Sequence, residues 1–156
     1  MLSEPQMSGL TVRGEAYRNL YIRIGTYENS KLASCQFEQV EFEGTWMVDA
    51  QFQKCSFDAC LFYDVQAYGT AFRDDIFRKV TFSGCNLANA DFTGSIFSDV
   101  VFGKDNIDSV TDISGACFEQ VDMTTIKFVG VEFDSQTVFP PDFDPDSNVG
   151  LVRAPD

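Results

Sequence analysis

With 156 residues, a formal net charge of −13 and no histidine, the chain has the size of one domain and lacks the commonest general base and metal ligand. Its 24 acidic residues outnumber 11 scattered lysines and arginines, which excludes direct contact with nucleic acid or an anionic membrane, since both need basic surface. Five cysteines, an odd number, with no signal-peptide pattern in the first residues and no apolar run as long as a membrane span, read as a cytoplasmic protein with free thiols.

Residues 1–11 carry no repeat and read as an N-terminal cap. From Val12 onward every fifth residue is apolar or aromatic, loosely at first (Tyr17, Ile22, Tyr27, Leu32) and then strictly from Phe37 through Phe102 to Ile107. Only Ala67 in that series is small. The register slips by one residue after Ile107 and resumes at Ile113, Phe118, Met123, Phe128, Phe133 and Val138. A one-residue bulge absorbs such a slip, so no long inserted loop is expected. The repeat thus occupies residues 12–136. Residues 137–156 contain Pro140, Pro141 and Pro145 and read as an irregular C-terminal cap, with Phe139 and Phe143 folding back over the last coil.

A five-residue period is neither helical nor strand-like. Five residues advance about 500° around an α-helix, smearing the side chains over its surface. In a strand, positions five apart face opposite sides. The pattern requires a chain that turns once per repeat and keeps one side chain inward. Two residues earlier lies a second inward column of small or β-branched residues, such as Cys55, Val65, Thr70 and Ala90. Two residues later, glycine, asparagine or aspartate marks the corners, as at Gly69, Asn89 and Gly94, where positive φ is tolerated.

Residues 85–97, Cys-Asn-Leu-Ala-Asn-Ala-Asp-Phe-Thr-Gly-Ser-Ile-Phe, match the pattern Ala-Asp/Asn-Leu/Phe-x-x, and the chain resembles the pentapeptide-repeat proteins over residues 30–135. The resemblance implies an all-β fold, a right-handed quadrilateral parallel β-helix with four repeats per coil and about six coils. Residues twenty apart then stack. The expected columns are Phe37, Phe57, Phe77, Phe97 and Phe118; Phe42, Phe62, Phe82, Phe102 and Met123; Leu32, Phe52, Phe72, Phe92, Ile113 and Phe133; and Tyr27, Met47, Ala67, Leu87, Ile107 and Phe128.

Cys35, Cys55, Cys60 and Cys85 fall at inward positions and read as packing residues; Cys117 points outward and is the most accessible thiol. No nucleophile–base pair, phosphate loop or metal motif appears, so neither enzymatic activity nor a cofactor is expected. Between Asp105 and Asp146 stand ten acids and one base, Lys127. Asp91, Asp112 and Glu132, with Asp134 beside them, form a candidate acidic binding face. Ile76 and Ile96, then Leu61, Tyr63 and Val101, then Trp46 and Tyr68 form candidate apolar contact patches on three other faces.

Two readings follow. In one, the acidic rod mimics DNA and engages DNA gyrase or another type II topoisomerase, a role the resemblance implies for the quinolone-resistance and microcin-resistance branches, whose gyrase-protecting members dimerise through their C-terminal ends. In the other, the chain is a general protein-interaction or structural scaffold with no topoisomerase role.

Overall fold

The computed structural model describes residues 6–155, so the first part of the expected N-terminal cap lies outside the described residues. The chain winds into a four-sided parallel β-solenoid. Short strands pair with the strand one turn on, in register twenty residues apart, as in Phe37↔Phe57↔Phe77↔Phe97 and Leu32↔Phe52↔Phe72. One face runs Gln6, Thr26, Trp46, Gln66, Asn86, Asp112, Glu132 and Val152. Those eight rungs make seven turns, one more than the sequence reading expects. The extra rung is Leu151–Arg153, which pairs with Val131–Phe133, although it lies in a stretch read as irregular.

The interior is built from the five-residue series. Phe37, Phe57, Phe77 and Phe97 stack at centroid separations of 4.8, 5.0 and 4.9 Å, the spacing of neighbouring strands. Phe42, Phe62, Phe82 and Phe102 form a second stack at 4.8, 4.6 and 4.7 Å. Between columns the rings meet edge to face, as Phe72 meets Phe77 at 70°. Both geometries are favourable for aromatic quadrupoles. Most inward cysteine, serine and threonine side chains satisfy backbone as they pack, although the buried Thr45 hydroxyl has no partner. Cys55, Thr70, Cys85 and Ser95 each donate to the carbonyl 23 residues earlier.

Corners are left-handed almost regardless of residue type. Gly94 and Asn89 are at φ 71° and 58°, as their chemistry allows, but so are Lys54 at 53°, Ala59 at 53° and even the β-branched Ile24 at 55°. Each corner residue other than glycine, asparagine or aspartate is strained by about 1–2 kcal/mol. The regular ladder imposes the conformation, and the interior stacking offsets its cost.

The slip after Ile107 has a different cause from a bulge. Asn86 pairs with Asp112, Asp91 with Cys117 and Val100 with Ile126. These are 26 residues apart rather than twenty, so six residues are inserted between Gly103 and Thr111. They form an exposed loop with Ile107 near its tip, 77% exposed; Ile107 is not a core residue. The upper columns are therefore permuted by one side. Phe118 stacks on Phe92, not on Phe97. Phe128 follows Phe102, and Leu87 precedes Ile113 through the Asn86↔Asp112 bridge. Phe139 then stacks on Phe118, and Phe143 packs against Phe128 and Phe139.

Candidate interaction surface

The insertion divides the expected acidic face. Asp112 and Glu132 are adjacent rungs of one side, while Asp91 lies on the next, between Ala71 and Cys117. Asp91 is also compensated: Arg73 Nε donates to its Oδ2 at 2.5 Å, and Thr93 N to its Oδ1 at 2.9 Å. Burial works to raise this carboxyl, but the Thr93 and Arg73 hydrogen bonds outweigh it and hold it below the ordinary range. Asp134 is a turn-forming residue. Its Oδ1 accepts from Gly115 N at 2.9 Å and Gln136 N at 3.0 Å. Asp112 and Glu132 keep carboxylates on the outer surface, and Asp112 also accepts from Ser114 N at 2.8 Å.

The apolar candidates fall where their repeat positions place them. Ile76 and Ile96 are directly in register, with Ile96 61% exposed. Leu61 and Val101 flank Thr81 on one rung column. Tyr63 donates its hydroxyl to Asn106 of the inserted loop. Trp46 and Tyr68 lie on the same face one turn apart, each 47% exposed, and Tyr68 accepts from Asn89 Nδ2 at 2.7 Å.

The four inward thiols are buried and Cys117 is partly exposed. Burial pushes Cys55 up to about 12, Cys60 to about 11 and Cys85 to about 12, which leaves them un-ionised and inert at neutral pH. Among the described residues no three acidic or thiol side chains converge to hold a metal. No helix among them is long and apolar enough to cross a membrane.

Two features escape the sequence pattern. Asp75 occupies an inward slot, with no exposed surface, between Cys55 and Ser95. The break was visible, because every neighbouring slot in that series holds a small or β-branched residue. The other feature is the approach of Asp64 and Asp105 at the root of the loop, which depends on an insertion whose length the period conceals.

The pentapeptide repeat region model matches residues 30–111, more than half of the chain. The chain belongs to the pentapeptide-repeat family. Solved structures similar to this pentapeptide-repeat chain include trypsin-treated QnrB1, described as a plasmid-mediated fluoroquinolone resistance protein (16% identity, 98% of this chain and 86% of that one, TM-score 0.49). They also include the pentapeptide repeat protein Rfr23 of the cyanobacterium Cyanothece 51142 (12% identity, 81% and 89%, TM-score 0.34). A pentapeptide repeat protein of the Arabidopsis thaliana thylakoid lumen matches at 13% identity over 80% and 69%, with TM-score 0.39. No curated protein matches the chain.

Proposed function

We propose that this pentapeptide-repeat protein is a non-enzymatic, cytoplasmic protein-binding module whose acidic rod occupies the DNA-binding surface of a type II topoisomerase such as DNA gyrase. The supporting observation is linear charge density. Seven turns at the strand spacing make a rod of roughly 34 Å. The formal net charge is −13; with the buried Asp75 protonated, about −12 over that length is one charge per about 2.8 Å, against about 1.7 Å for duplex DNA. Four of the eleven bases, Arg18, Arg23, Arg73 and Arg153, lie against Glu38, Glu43, Asp91 and Asp146. The free acids concentrate in the final turns, where Asp112 and Glu132 stack. A second copy of the chain would meet the first at this C-terminal end.

The exposed Ile96, Trp46 and Tyr68 favour a second reading, a protein-interaction scaffold with no topoisomerase role. A gyrase supercoiling assay separates the two. In the first reading the protein inhibits supercoiling at micromolar concentration, and the double reversal Asp112→Lys, Glu132→Lys weakens inhibition about tenfold while Ile96→Asp leaves it unchanged. Asp134 is left intact in this test because it holds the Gly115 corner. No inhibition at tens of micromolar contradicts the topoisomerase reading and leaves the scaffold.

A further inference from the structure

Asp105 organises the inserted loop. Its Oδ1 accepts from Ile107 N at 2.9 Å and Ser109 N at 2.8 Å, and its own amide donates to Ser109 O at 3.0 Å. The residue is only 7% exposed, yet Oδ2 is buried without a hydrogen-bond partner. That oxygen faces the corner below the loop, where Asp64 stands at φ 52°. The two carboxyls meet over the α-carbon of Gly84. A Cβ there would lie 2.7 Å from Asp64 Oδ1 and 2.9 Å from Asp105 Oδ2, so glycine is what lets them converge.

Two carboxylates this close do not both ionise readily. The surroundings supply little relief: Glu43 adds a further negative charge beside Asp64, offset in part by Arg23 at 3.9 Å from it, Asp108 is another acid of the loop, and Lys104 runs its side chain over Gly130 instead. The two backbone hydrogen bonds favour the anion at Asp105. Asp64 has no such donors, and the proton belongs there.

We propose that a proton held by Asp64 and donated to Asp105 Oδ2 latches the inserted loop onto the corner at Gly84, covering the face around Tyr63, and that loss of this proton frees the loop. The direction of the two carboxyls agrees: burial and the neighbouring Asp105 push Asp64 up to about 6, while Asp105, despite burial, is lowered by its backbone donors and Asp64. The device is independent of the proposed partner.

Amide hydrogen exchange of the full chain tests it, with Phe72 in the ladder as the reference for global opening. Relative to that reference, protection of Ile107 and Ser109 is expected to be about tenfold greater at pH 5 than at pH 7.5. Asp64→Asn, whose amide donates at any pH, should hold the higher protection at both. Equal wild-type protection at the two pH values, or an unchanged pH dependence in Asp64→Asn, would overturn the latch. Carbon-13 titration of the wild-type carboxyls gives a check that needs no variant. A midpoint near pH 6 for Asp64 supports the shared proton, and midpoints below about 4.5 for both residues refute it.

Discussion

Replacing Asp75 with serine is expected to stabilise the protein at pH 8 by about 3–5 kcal/mol and to remove much of its loss of stability with rising pH. Asp75 is fully buried in the aromatic interior, and burial pushes its carboxyl up to about 9. The unfolded carboxyl titrates near 3.9. Between those values the folded chain holds a proton that the unfolded chain releases, so stability is fully present below about pH 4. It then falls by about 1.4 kcal/mol per pH unit until the folded group also ionises near pH 9.

The serine variant is chosen from the neighbouring slot. Ser95 Oγ accepts from Asp75 N at 3.0 Å and donates to Phe72 O at 2.6 Å. Asp75 Oδ1 already accepts from Cys55 N at 2.8 Å, while Oδ2 has no partner. A serine at this position keeps the first contact, and its hydroxyl proton points toward Phe52 O, the equivalent carbonyl. Urea unfolding at pH 5, 7 and 8.5 measures the effect. A serine variant less stable than the wild type at pH 8 would show that the carboxyl contributes more than its burial costs.

The second large effect is at Phe77. Phe77→Ala should cost about 4 kcal/mol, measured by the same unfolding experiment at pH 5, where Asp75 is neutral. Phe77 is fully buried. It stacks on Phe57 at 5.0 Å and Phe97 at 4.9 Å, and meets Phe72 and Phe92 edge-on at 5.6 and 6.0 Å. The cavity cannot collapse, because the ladder hydrogen bonds fix the turns above and below. In a solenoid such a gap also uncouples the two halves, since each turn is stabilised by its neighbours. A loss below about 2 kcal/mol would mean that the column relaxes around the gap. Phe139, half-buried at the end of its stack, should lose less when truncated.

Most of this architecture was legible because one physical rule repeats. A chain that turns every five residues must put large apolar side chains inward at that interval, and Phe37 through Phe102 do so without interruption apart from Ala67. The upper columns were misread because a period of five cannot distinguish an insertion of one residue from an insertion of six. Ile113 and Phe118 resume in the same phase either way. Only pairing distance, 26 between Asp91 and Cys117, reveals the loop. That error carried into the acidic face, since Asp91 was assigned to the side of Asp112. Corner chemistry was legible only in part. Glycine and asparagine signal positive φ, but Lys54 and Ile24 adopt it because their neighbours leave no alternative.

Displacement of a fluorescently labelled DNA duplex from gyrase, followed by anisotropy, tests the DNA-like rod most directly. The account predicts that the protein competes with the duplex for one site at micromolar concentration, and that competition weakens as salt is raised. Supercoiling inhibited while the duplex stays bound, or no displacement at tens of micromolar in low salt, would contradict it.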